Sequence, residues 1–335
     1  MIRSSKQDTI DITKTIVAER GIPALILDLK EIRQTELNLI HETLYGKSFD
    51  ELDVILQTPG GDIDAAFLLV KTLRRRAKKV NILVPRFAKS AGTLICLGAD
   101  TILLTDLSEL GPLDTQIYEA VDGGAAGYVS ALNGFKALEQ VQQHTIETLD
   151  IATKLILSRS RMKVSDAIHL ATEFSGQTSG TLYSMLNPAK IGEYARALEI
   201  GEHYGILILT RYMGWPKDRA ELTVKKLVKQ YPSHGFVIDL EELRLLGLPA
   251  QEVDASMQDS ILPLRKSLLV KDTASLIELV EPEARSRPSR NGGRERSKET
   301  QHDGKQQEPQ ECIPAQGAKG GPGRASGKKS RHGRH

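Results

Sequence analysis

Between Ile22 and Leu104 the chain alternates short aliphatic runs with longer amphipathic stretches, and no other feature narrows its fold so far. Segments 24–29 (ALILDL), 52–58 (LDVILQT), 80–85 (VNILVP) and 101–105 (TILLT) read as strands. Segments 35–45 and 65–79, and a stretch beginning at Ser90, read as helices. Strands interleaved with helices pack as a mostly parallel sheet joined by right-handed crossovers. After Pro112 the strand signals fade. Apolar residues at 129, 132, 135, 138 and 141 take helical spacing through 128–158, and further helices are expected at 164–174, 188–208 and 217–230. Segment 231–249 reads as a short strand, a helix and a glycine stop.

Charge divides the chain. From Arg285 to His335 there are 13 Lys/Arg against 5 Asp/Glu, a net +8, which leaves −6 for residues 1–284. The last segment is rich in Gly, Ser, Pro and Gln and lacks aromatics, so it cannot repay its ordering entropy and is expected to be disordered. The expected organisation is an N-terminal extension (1–20), an α/β domain with a helical second half (21–280) and a basic tail (285–335). Two cysteines are too few for a disulfide framework. No run reaches the roughly 18 apolar residues of a bilayer span, and the start lacks a secretory apolar core, so a cytoplasmic protein without a transmembrane segment is expected.

Two glycine-bearing turns follow consecutive strands: Gln57-Thr-Pro-Gly-Gly-Asp62 and Ala88-Lys-Ser-Ala-Gly-Thr93. In a parallel sheet both fall at the carboxyl ends of the strands, where ligands gather. Each alone has an ordinary reading: Pro-Gly-Gly as a tight turn, Ser90 as a helix cap. Together they set a hydroxyl between two sources of backbone N–H, as acyl transfer requires, because its tetrahedral oxyanion must be caught by preorganised donors.

These motifs, with Leu97-Gly-Ala-Asp100, Leu110-Gly-Pro-Leu-Asp114 and the late segment 234–248, resemble the serine dehydrogenase proteinase family. That family is a signal-peptide-peptidase-A-like branch of the ClpP/crotonase superfamily. The resemblance implies a spiral of ββα units, a homo-oligomer, Ser90 as nucleophile, and the amides of Gly61 and Ala91 as the oxyanion hole. ClpP places its histidine about 25 residues past the serine, where this chain has Thr115, and the chain has no histidine between His41 and His144. The signal-peptide-peptidase-like branch uses a lysine 40 to 50 residues on, and that window holds Lys136 alone. Leu132, Phe135 and Leu138 surround it, the apolar setting an amine needs to serve as a base.

Alternative bases are Lys154, His234 and His144. Lys89 is expected to point away from the site, and Asp62 and Asp114 to brace loops. No cofactor is implied, and the cysteines and histidines lack metal-ligand spacing. The expected activity is a serine peptidase acting on a peptide or protein through a Ser90–Lys136 dyad. Two rivals stand beside it: a crotonase-like acyl-CoA enzyme in which Ser90 only caps, and a noncatalytic peptide-binding scaffold whose basic tail binds nucleic acid. Gly61→Ala is expected to impair turnover more than folding.

Overall fold

The computed structural model describes residues 6–113, 116–120, 126–233, 235–254, 257–268 and 274–283. The expected tail, Asp114, Thr115 and His234 lie outside them. The first half alternates as the aliphatic runs predict: α1 (Lys6–Arg20), β1 (Ala24–Asp28), α2 (Gln34–Thr43), β2 (Phe49–Gln57), α3 (Ile63–Arg76), β3 (Ala77–Val84), β4 (Phe87–Ala88), α4 (Ala91–Cys96), β5 (Thr101–Leu104) and β6 (Glu109–Leu110).

The second half comprises a hairpin, β7 (Gln116–Ala120) and β8 (Ala126–Ser130), then helices α5 (Ala131–Arg159), α6 (Val164–Met185), α7 (Pro188–Leu207), α8 (Lys217–Lys225) and α9 (Leu240–Leu245). β9 (Ala250–Glu252), α10 (Gln258–Leu268) and β10 (Leu276–Val280) close it. α7 and α8 each run on into a π-helical turn, Ile208–Tyr212 and Lys226–Gln230.

The main sheet has the order β10-β1-β2-β3-β5-β9. β1, β2, β3, β5 and β9 are mutually parallel, and β10 lies antiparallel against β1. Strand side chains alternate between two cores, as the two-residue period requires. Leu25, Leu27, Val54, Leu56, Ile82 and Val84 enter the larger cluster. Ala24, Ile26, Ile55, Leu83 and Leu103 enter the smaller one with residues of α1 and α10. The segment expected as an N-terminal extension is thus a helix whose Ile16 and Val17 are buried in that second core.

A second, shorter ladder runs past the carboxyl ends of the strands. Ile32 bridges Gly61 and Thr58 bridges Ala88 in parallel, β4 pairs with β6 in parallel, and Leu110 bridges Ile238 antiparallel. Each step of strand, short ladder segment and helix is one ββα unit.

Several boundaries differ from the sequence reading. The helix expected to reach residue 79 ends at Arg76, because Ala77–Lys79 extend β3 alongside β2. There Lys79 faces Glu51 in register and Lys78 reaches Asp50, each at 2.7 Å. Residues 128–130 are strand, so the helix begins at Ala131, where the Ser130 side chain accepts from Asn133 N at 3.0 Å. Segment 231–239 contributes only the Ile238 bridge in place of a strand.

Candidate active site

Ser90 stands at the start of α4 with φ 51° and ψ −116°, alone at positive φ among the described non-glycine residues. Such a backbone costs about 1–3 kcal/mol and persists only where the surroundings over-determine it. They do here. Lys89 N donates to Thr58 O at 3.0 Å, Thr58 N to Phe87 O at 3.1 Å, and Gly92 N to Lys89 O at 2.7 Å. The buried Thr93 hydroxyl donates to Gly111 O at 2.8 Å and lies 2.9 Å from Ala88 O, tying α4 to the loop after β6. Ser90 is 2% exposed, and although it occupies the cap position its side chain makes no capping hydrogen bond.

The Pro-Gly-Gly turn lies directly against it. A Cβ on Gly60, at φ 120°, would come within 2.9 Å of Ser90 Cβ, so Gly60 is the residue that lets the two turns touch. Sequence reasoning noted its freedom but missed this contact. Gly61, at φ 142°, belongs to the short ladder: Ile32 N donates to Gly60 O and Asp62 N to Ile32 O, both at 2.8 Å. Between these bonds the Gly61 N–H has no acceptor among the described residues, and neither has the Ala91 N–H. A Cβ on Gly61 would sit 2.4 Å from Ile32 O. Gly61→Ala therefore acts on folding as well as on the site: the methyl collides with ladder backbone at a φ that L residues avoid.

The other candidates separate. Asp62 caps α3, accepting from Asp64 N at 2.8 Å and Ala65 N at 3.2 Å, the bracing role expected of it. Lys89 points away as expected, its Nζ 3.1 Å from Leu110 O, 3.4 Å from Phe236 O and 3.2 Å from Glu109. Lys154 is exposed and paired with Asp150 on its own helix, and His144 is exposed. Lys136 is half-buried and donates to the carbonyl of Tyr231.

That carbonyl belongs to a clamped segment. The Tyr231 hydroxyl and Lys226 Nζ each reach Glu242 Oε1 at 2.7 Å, and the Tyr231 ring stacks on Phe236 at 4.9 Å. Burial, and then the Glu242 carboxylate, pushes the Tyr231 phenol up; hydrogen bonds from Lys226 and Tyr231 hold Glu242 below its ordinary range. Lys136, the base expected from the resemblance, and Lys89, the neighbour of Ser90, thus grip the same stretch at Tyr231 and Phe236, on either side of His234. The π-helical turn contributes too, as Leu227 O accepts from Leu113 N at 2.9 Å and holds the loop after β6.

Among the described residues no three of His, Cys, Asp and Glu gather as a metal site. Cys96 is fully buried, and burial pushes its thiol up. No helix among the described residues is long and apolar enough to cross a membrane.

A parallel sheet, a short ladder along its carboxyl ends, and a serine at positive φ between two glycine turns frame the candidate site. Residues 25–168 match the family model described as ClpP-like SDH-type serine proteinase.

An uncharacterized protein of Methanocaldococcus jannaschii is 35% identical over 213 residues, covering 64% of this chain and 57% of its own length. A second uncharacterized protein of that organism is 32% identical over 105 residues, covering 31% of this chain and 34% of its own. The chain thus spans little more than half of one curated relative and a third of the other. Among solved structures, a ClpP1 variant from Listeria monocytogenes aligns over 75% of this chain and 99% of its own at 11% identity and a TM-score of 0.36. A membrane-bound stomatin-specific protease aligns over 45% and 68% at 18% identity and a TM-score of 0.26.

Proposed function

We propose that the chain is a serine hydrolase that cleaves peptide bonds through an acyl-enzyme on Ser90. One observation carries the reading: a buried serine is held at an unfavourable φ at the start of α4, beside two amides that have no acceptor among the described residues. Structural economy alone would relax that strain.

In the proposed reaction Ser90 Oγ bonds to the substrate carbonyl carbon while its proton passes to Lys136 Nζ. The carbonyl oxygen becomes an oxyanion held by the N–H groups of Gly61 and Ala91. Collapse breaks the C–N bond, the leaving amine takes the proton, and water then hydrolyses the ester. Support for Lys136 comes from the Tyr231 carbonyl, which orients its Nζ as a third group orients the base of a catalytic pair. His234 is the second candidate, because the residues flanking it are tied to Lys89 and Lys136.

Intact-mass analysis after fluorophosphonate treatment tests the nucleophile: a single adduct is expected on the wild type and none on Ser90→Ala. The labelling rate should rise with pH, and Lys136→Ala should remove that rise. If His234→Ala abolishes labelling while Lys136→Ala spares it, the base is His234. An adduct on Ser90→Ala at the wild-type rate defeats the whole assignment.

Assembly into a homo-oligomer is part of the same reading, supported by the flank of the α5–α6 pair, where Ile151, Phe174 and Met185 are 64%, 52% and 77% exposed. Light scattering on the purified chain distinguishes an oligomer from a monomer.

A further inference from the structure

A cavity of ≈780 Å³ opens where β5 and β9 end and α9 and α10 begin. Its lining includes none of Ser90, Gly60, Gly61 or Ala91, so it is distinct from the proposed catalytic centre. Leu104, Val253 and Ile261 give it an apolar floor, buried to within 1%, 7% and 8% of full exclusion. Asp106, Asp239, Glu241 and Glu252 line it with exposed carboxylates. The single cation of the lining, Arg265 of α10, lies 3.6 Å from Asp106, and its Nε is buried with no hydrogen-bond partner.

These features select a chemistry. Four carboxylates against one guanidinium in a concave surface concentrate negative potential, which attracts cations and repels polyanions such as nucleotides. A bare metal ion fits poorly, because the acids do not gather within coordinating reach of one another among the described residues and a third of the lining is aliphatic. The Arg265 side chain keeps 16% of its surface exposed, so its outer guanidinium N–H groups can donate to a carbonyl. An aliphatic stem, a cationic head and a carbonyl acceptor occur together in a peptide carrying lysine or arginine.

We propose that this cavity binds a basic peptide segment. Lysine or arginine heads face Asp106, Glu241 and Glu252, their stems lie on Leu104, Val253 and Ile261, and a backbone carbonyl accepts from the Arg265 guanidinium. For a chain that cleaves polypeptides, such a site would hold substrate away from the scissile bond. The binding claim itself stands apart from the hydrolase reading.

The test is fluorescence anisotropy with the full chain carrying Ser90→Ala, so that the probe survives. The probe is a fluorescein-labelled peptide of alternating lysine and leucine, with a glutamate–leucine peptide as control. Neutralising three exposed acids together (Asp106→Asn, Glu241→Gln, Glu252→Gln) is expected to weaken lysine–leucine binding by about tenfold and flatten its salt dependence. The control peptide should not bind.

Equal affinity of the triple variant and its parent, or equal binding of both peptides, overturns the proposal. Glu252→Gln alone, a single edge-strand change, serves if the triple variant misfolds. Fluorophosphonate labelling of the triple variant in a Ser90 background should match wild type, so failure of either reading shows separately.

Discussion

At the scale of single residues, Ser90 and Gly61 are the two positions where backbone conformation and the proposed chemistry meet. Both sit at positive φ, but only one carries a Cβ. Ser90→Gly should therefore be more stable than Ser90→Ala by about 1 kcal/mol in urea denaturation, because glycine removes the strain that alanine keeps. Equal stabilities would mean that the turn does not hold residue 90 at this φ. Gly61→Ala should lower stability by at least about 1–3 kcal/mol, so loss of labelling in that variant must be judged against its folded fraction.

Ser179 offers the opposite case. It is 1% exposed on the face of α6 turned toward α5, and its hydroxyl is buried without a hydrogen-bond partner. Ser179→Ala should raise stability by about 1 kcal/mol, since it removes a desolvated group that gains nothing. A lower melting temperature for that variant would show that the hydroxyl is satisfied.

Among the elements, α5 and α6 show how side-chain size sets distance. Ala167, Ala171, Ser175 and Ser179 recur every four residues and are the buried residues of α6, so the two helices meet along a seam of small side chains. Ala171→Leu should force them apart, at a cost of about 1–3 kcal/mol for an overpacked contact, while leaving the sheet intact. Loss of helical signal without loss of fluorophosphonate labelling would locate the damage in this pair.

The aliphatic runs of β1, β2, β3 and β5 were legible because their burial on both faces leaves little room for polar residues. The hairpin 116–130 was missed. Its signals, Ile-Tyr and Tyr-Val flanking Asp122-Gly-Gly, were outweighed by the helical spacing that continues beyond it. β9 and β10 were missed because three to five residues carry almost no period, and because β10 has its place only through pairing with β1, some 250 residues away in sequence. In the site, the two turns announced Ser90 and Gly61, whereas the Tyr231–Glu242–Lys226 clamp left no mark. Its members are ordinary surface residue types until the fold gathers them.

In the whole molecule, one arginine joins three distant stretches. Arg20, at the end of α1, lies 2.6 Å from Asp53 of β2 and 2.6 Å from Asp254 beyond β9, and Asn81 Nδ2 completes the cluster by donating to Asp53 and Glu51 at 2.8 Å. The Arg20 and Asp53 side chains are only 11% and 6% exposed. Removing the arginine leaves a buried carboxylate uncompensated, so Arg20→Ala should cost about 3–5 kcal/mol and free the N-terminal helix to early proteolysis. Unchanged denaturation would show α1 to be peripheral.

Acid should act through the same kind of group. Glu51 and Glu242 are held below the ordinary carboxylate value of 4.5 by hydrogen bonds, Glu51 from Asn81 and Lys79 and Glu242 from Lys226 and Tyr231. A depressed folded-state pKa adds stability above pH 4.5, which is lost as pH falls from there through the folded-state value. Urea midpoints should fall from pH 6 to pH 3, and Glu242→Gln should fall less steeply. A parallel decline in that variant would remove Glu242 from the acid response.

The bond from Lys89 to Phe236 spans 147 residues of sequence. A ribosome makes the turn of Ser90 long before it makes the strip that Lys89 reaches. Through that interval the nascent chain carries Ser90 without this tie, which forms only when Phe236 has emerged and Ile238 can bridge Leu110 of β6. Were Ser90 to act as proposed, its surroundings would be complete only after most of the chain had been built.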